Sequence, residues 1–82
     1  MAMLKVIFYT KNNCSLCDDA AALVSMFQHE YKFELEERDI YTNDTWLEEY
    51  QLLIPCVEIG GTRLDCEQLN MDTLEQVLKD NR

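Results

Sequence analysis

The sequence predicts a small α/β domain whose elements run β-α-β-α-β-β-α. Three observations carry that prediction. An apolar, β-branched and aromatic run, Val6-Ile7-Phe8-Tyr9, passes through a polar turn into a stretch with helical apolar spacing. Strand-like and helix-like segments then alternate over all 82 residues with no repeat, linker or low-complexity segment between them. Finally, Gly60-Gly61 separates two short strand-like runs ahead of a last amphipathic stretch. The length suits one modest core, so residues 1–82 are read as a single domain.

The first strand is placed at Met1 to Thr10. Both parities of Leu4 to Tyr9 are largely apolar, as in a central strand covered on both faces. The first helix runs from Ser15 to about Tyr31, with Leu16, Ala20, Leu23, Val24, Phe27 and Tyr31 along one side. Lys32 to Ile40 reads as a second strand. Phe33 and Leu35 alternate there with Glu34 and Glu36, so it is half exposed and belongs at an edge. A strand, a helix and a strand over this length make a βαβ unit, hence parallel strands with a right-handed crossover.

Thr42 to Gln51 is a short second helix, with Thr42, Asn43 and Thr45 as candidate caps and Thr45 with Glu48 in capping-box spacing. Trp46, Leu47 and Tyr50 form its apolar side. Leu52 to Ile59 reads as a strand entered through Pro55, and Thr62 to about Cys66 as the returning strand. The last helix is capped by Asn70 or Asp72, buries Leu74, Val77 and Leu78, and carries Lys79 and Arg82 at its negative end.

Formal net charge is −9, from 16 acids against 7 bases. That argues against nucleic acid, which is bound by neutralising phosphates, and against anionic membrane surfaces. The acidity reads first as what keeps a small protein soluble, and otherwise as selecting a basic partner or disfavouring anionic thiols. No apolar run reaches membrane-spanning length, and neither a basic leader nor a small-residue cleavage site is visible. A cytoplasmic monomer is expected.

Four cysteines in a secreted chain this short would suggest a disulfide scaffold. With helix–strand alternation and no leader, Cys14-Ser15-Leu16-Cys17 reads better as chemistry. The pair falls on the first turn of the first helix, where unpaired N–H groups and the dipole favour a thiolate. Cys14 opens the helix and is assigned as nucleophile; Cys17, one turn in, as the resolving thiol. Lys11 adds a favourable charge, while Asp18 and Asp19 partly cancel it.

Cys56 and Cys66 are the second pair. A two-residue Gly60-Gly61 loop sets Cys56 opposite Asp65, whereas a three-residue loop including Thr62 sets it opposite Cys66. They are mainly small strand residues and, failing that, auxiliary thiols, with Cys56 an alternative partner for Cys14. Pro55 cannot donate to a ladder and by itself marks a strand start. His29 is read as a surface residue, Trp46 and Tyr50 as core, and Glu36-Glu37 and Glu48-Glu49 as solvated faces.

These residues together resemble the glutaredoxin-like branch of the thioredoxin superfamily, along essentially the whole chain. The matching pieces are Phe8-Tyr9-Thr10-Lys11, Cys14-Ser15-Leu16-Cys17, Ile54-Pro55 and the Gly60-Gly61 hairpin before a last helix. The resemblance implies a thioredoxin-like four-stranded mixed sheet of order 2-1-3-4 flanked by three helices. It also implies a cis Pro55 beside Cys14, an Ile54 backbone that pairs with a bound peptide or glutathione, and a Lys11 that helps hold a glutathione carboxylate. Two departures stand out. Ser15-Leu16 replaces the usual Pro-Tyr, and Leu64-Asp65-Cys66-Glu67-Gln68 stands where a Gly-Gly-Asp segment would grip the γ-glutamyl end.

The leading functional expectation is a thiol–disulfide oxidoreductase with no bound cofactor or metal. Its partner is a disulfide-bearing protein or small thiol, with glutathione a candidate co-substrate and a reductase a candidate electron source. Two other classes are weighed against it. One is a binding or redox-sensing module that presents Ile54 and its neighbours. The other is zinc or iron–sulfur binding, for which Cys56-x9-Cys66 is a poor second pair beside Cys14-x2-Cys17.

Overall fold

The computed structural model describes residues 4–81. Its elements are β1 (Lys5–Thr10), α1 (Ser15–Tyr31), β2 (Glu34–Asp39), α2 (Asp44–Tyr50), β3 (Cys56–Ile59), β4 (Thr62–Leu64) and α3 (Met71–Asn81), with one 3-10 turn at Ile40–Thr42 before α2. The strands form one mixed sheet ordered β2-β1-β3-β4, with β1 parallel to β2 and antiparallel to β3. The expected architecture and order are therefore observed.

Strand β1 divides the interior because its side chains alternate across the sheet. Val6 and Phe8 face one side, where they meet Val24 and Phe27 of α1, Val57 and Ile59 of β3, and Leu74 and Leu78 of α3. Tyr9, with Ile7 packed beside it, faces the other side and meets Ile40, Tyr50 and Cys56, with Trp46 and Leu47 of α2 against them. Two helices thus cover one face and the short α2 covers the other.

Several boundaries differ from the sequence reading, each for a local reason. Met1 to Met3 and Arg82 lie outside the described residues; Leu4 is described and precedes the strand, which begins at Lys5. Lys32 is not strand: it closes α1 in the left-handed region, φ 52°, donating its N–H to Gln28 O. Ile40 leaves β2 because Asp39 caps the following turn by accepting from Tyr41 N–H.

Of the candidate caps for α2, Asn43 does the work, its Oδ1 accepting from Thr45 and Trp46 N–H at 2.9 and 3.2 Å. For α3 the cap is Asn70, in a reciprocal pair with Thr73: Thr73 N–H donates to Asn70 Oδ1, and Asn70 N–H to Thr73 Oγ1. Thr45 and Glu48 do not form the box, and Asp72 is not the cap of α3. Strand β3 starts at Cys56, not Leu52, because Leu53 and Ile54 N–H donate to Tyr50 O and extend the end of α2 as a turn. Strand β4 ends at Leu64, where Asp65 begins a turn of its own.

Glu36 departs from the solvated reading. Its carboxylate meets Lys5 Nζ at 3.0 Å and also pairs with Arg38, and the two cations hold it below the usual carboxylate range. Arg38 in turn lies over the rings of Trp46 and Tyr9 and donates to Tyr9 Oη at 3.0 Å.

Candidate active site

The turn from β1 to α1 delivers the two cysteines. Asn13 takes a positive φ of 56°, a conformation asparagine tolerates, and turns the chain so that Cys14 becomes the N-cap of α1. Cys14 keeps extended backbone angles, and its sulfur accepts the N–H of Cys17 at 3.1 Å. A cysteine sulfur thus occupies the place usually held by a Ser, Asp or Asn oxygen. Cys14 and Cys17 are joined as a disulfide, with Cα atoms 5.2 Å apart.

The two sulfurs have different environments. Cys17 is only 1% exposed, packed at the inner side of the helix, whereas Cys14 is half-buried at the helix tip. Of the acids beside the site, Asp18 and Asp19 are both exposed. Lys11 lies in the preceding turn, half-buried, and forms no ion pair among the described residues.

The Ile54-Pro55 bond is cis. Strand register explains why this segment arrives near the cysteines: Tyr9–Cys56 is the last pair of the β1–β3 ladder, so Pro55 comes just before β3 at the end of β1 that leads into the cysteine turn, and it lines one groove with Leu16. Pro55 is buried and Ile54 half-buried, the latter packing in the α2-side core. The Ile54 N–H is already donated to Tyr50 O at 3.1 Å. A segment pairing here would therefore find the carbonyl and not the N–H.

Next to the disulfide opens an apolar groove of ≈ 200 Å³. Leu16, the residue between the cysteines, lines it together with Ala20, Leu23, Pro55, Leu69 and Cys66, and Asp19 contributes a carboxylate. Sequence reasoning did not identify this groove. Leu23 reads simply as part of the apolar side of the first helix, and only the return of the chain after β4 brings Leu69 beside it.

Cys56 and Cys66 part company in the structure. The hairpin has the two-residue loop, with Ile59 opposite Thr62 and Val57 opposite Leu64. Cys66 therefore does not face Cys56, and both are free thiols. Cys56 is fully buried, and burial pushes its thiol up to about 12. It is poorly suited to thiolate chemistry. Cys66 is exposed on the rim of the groove, its N–H donating to Leu53 O at 3.0 Å. His29 is exposed, and no group of three or more His, Cys, Asp or Glu side chains is gathered as a metal site among the described residues.

The turn after β4 satisfies its own donors. Asp65 Oδ1 accepts from Glu67 and Gln68 N–H at 2.9 and 3.1 Å, which leaves neither N–H for a ligand. No helix among the described residues is long and apolar enough to cross a membrane.

Comparison with known proteins agrees with this architecture. A protein of Nitrosomonas europaea solved in solution superposes with a TM-score of 0.75 at 23% identity, over 93% of this chain and 92% of that one. Thioredoxin 1 from Thermosipho africanus matches with a TM-score of 0.65 at 17% identity, over 93% and 96% of the two chains. Fasciola hepatica thioredoxin gives 0.67 at 17% identity, over 99% and 83%. At these identities the likeness speaks to the thioredoxin-like fold. The family model described as "Glutaredoxin-like domain (DUF836)" matches residues 5–79, and the chain belongs to that family.

Proposed function

We propose that this protein is a thiol–disulfide oxidoreductase that works through Cys14 and Cys17. The observation that supports it most is the capping geometry: the Cys14 sulfur sits at the tip of α1 with the Cys17 N–H aimed at it. An ionised sulfur in that place accepts a charge-assisted hydrogen bond and faces the positive end of the helix, both of which favour thiolate.

In the reducing direction the Cys14 thiolate attacks one sulfur of a substrate disulfide, and the other sulfur leaves as a thiolate that takes up a proton. The Cys17 thiol then gives up its proton and attacks Cys14 Sγ. This closes the ring seen in the structure and releases the second substrate thiol. The substrate gains two electrons and the dithiol loses two. Cys17 is buried on the inner side of α1, which suits a thiol that meets only its neighbour. The Ile54 carbonyl and Pro55 border the place where the substrate chain must lie, and Lys11 stands at its approach.

Glutathione is a poor candidate for the electron source on this reading. The loop that would need to offer N–H groups to its γ-glutamyl end spends them on Asp65. A second protein dithiol fits better.

The test is a pair of variants. Cys14→Ser should abolish reduction of a disulfide substrate, while Cys17→Ser should accumulate a mixed disulfide through Cys14, visible as a mass adduct released by dithiothreitol. Turnover that survives in Cys14→Ser would overturn the assignment.

A further inference from the structure

We propose that the groove beside Cys14 selects its substrate by charge. It seats one large apolar side chain of a disulfide-bearing polypeptide whose neighbouring residues are lysine or arginine, and it disfavours acidic ones. The inference rests on the oxidoreductase reading and names the substrate class of that same site.

The groove supplies the apolar half of the recognition. Its ≈ 200 Å³ is far more than the roughly 10–15 Å³ that admits one water. Leu16, Leu23, Pro55 and Leu69 make it a surface that gains by losing water. Leu16 is 65% exposed, though it sits between the two cysteines. Leu52, 86% exposed, is a neighbour of the rim residue Cys66: its carbonyl lies 4.0 Å from Cys66 Sγ. An apolar side chain next to the substrate cysteine would cover this surface.

The charged half is the rim. Asp19 lines the groove, Asp18 adjoins it on the first turn of α1, and Asp65 and Glu67 flank Cys66. None of these four carboxylates is paired with a cation among the described residues. The ion pairs formed use Glu36, Glu49 and Glu75 instead, and they occupy Lys5, Arg38, Arg63 and Lys79. Of the remaining described cations, Lys32 closes the far end of α1, and Lys11 alone stands in the turn before Cys14. The groove is thus apolar in its walls and negative at its edge. A field of that sign raises the local concentration of cationic segments and repels acidic ones.

Two peptides test this, identical except that lysines or glutamates flank a Leu-Cys pair. Each cysteine is held as a mixed disulfide with 2-thiopyridine. Attack by the Cys14 thiolate on the peptide sulfur expels thiopyridone, whose absorbance reports the rate. Cys17 then closes the ring and frees the peptide thiol. At low salt the lysine peptide should react about tenfold faster than the glutamate peptide, and the ratio should shrink at high salt. Asp19→Lys should cut the ratio to about a third.

Replacing the peptide leucine by serine should slow both. Equal rates for the two peptides, or a ratio indifferent to salt and to Asp19→Lys, would overturn the inference. A small neutral thiopyridyl disulfide separates the two failures. If the wild type reduces it in a Cys14-dependent way while the peptides do not differ, charge selection is wrong and the oxidoreductase stands. If nothing is reduced faster than by free dithiothreitol, both fall.

Discussion

Cys56 should be the least reactive thiol of the reduced protein, by a margin the structure sets. Its side chain is fully buried beneath the second helix, and burial pushes its thiol from 9.0 up to about 12. At pH 7.5 that shift lowers the thiolate fraction about a thousandfold relative to an ordinary thiol. The more basic thiolate is intrinsically the better nucleophile, with a Brønsted coefficient of about 0.4–0.5, which returns about twentyfold. About a fiftyfold deficit remains, before any further loss from steric exclusion. The assay is timed alkylation of the reduced protein with iodoacetamide at pH 7.5, mapped by peptide mass, with N-acetylcysteine in the same tube. Cys56 should label at least fiftyfold more slowly than the small thiol. Labelling within about fivefold of it would mean that the site opens readily or that the burial argument fails, and Cys56 would return as a candidate partner for Cys14.

The same burial makes an alkaline prediction. Cys56 and Tyr50, both pushed up to about 12, keep their protons longer when folded than when unfolded. The stability they contribute is complete below about pH 9 and is lost as pH rises toward 12, at about 1.4 kcal/mol per pH unit for Cys56. Urea unfolding between pH 8 and 10.5 should show that loss, and Cys56→Ala should remove the part that begins near pH 9. Leu74→Ala empties a fully buried position between α3 and the sheet and should cost about 2–5 kcal/mol in urea unfolding. Asn43→Ala removes the side-chain oxygen that caps α2 and should cost about 1 kcal/mol, whereas Thr45→Ala, which loses no cap, should cost clearly less.

The parts of the molecule that were legible in sequence are those whose physics is local. Apolar residues on both parities of Leu4 to Tyr9 foretold a central strand, and apolar spacing foretold α1 to within its observed ends. The position of Cys14 at the helix start followed from the same spacing. What was not legible depended on specific hydrogen-bond and packing partners that a residue pattern does not name. Leu52-Leu53-Ile54 has strand composition, yet two of its N–H groups turn back to Tyr50 O, which no local pattern announces. Glu36 looked solvated because its partners are a cross-strand Lys5 and an Arg38 fixed over two rings. The groove exists only because the segment after β4 folds beside α1, bringing Leu69 and Cys66 to Leu16 and Leu23. The hairpin left two registers open in sequence, and the structure adopts the one that separates Cys56 from Cys66.

The proposed chemistry requires that the tip of α1 keep the Cys14 sulfur ionised in the reduced protein. It is tested most directly by the pH dependence of alkylation at Cys14 in a Cys17→Ser, Cys66→Ser background, where the buried Cys56 competes least. The prediction is a rate that reaches half its plateau clearly below the free-thiol value of about 8.5. A half-plateau at or above that value would mean the capping geometry does not favour thiolate, and the proposed chemistry would lose its basis.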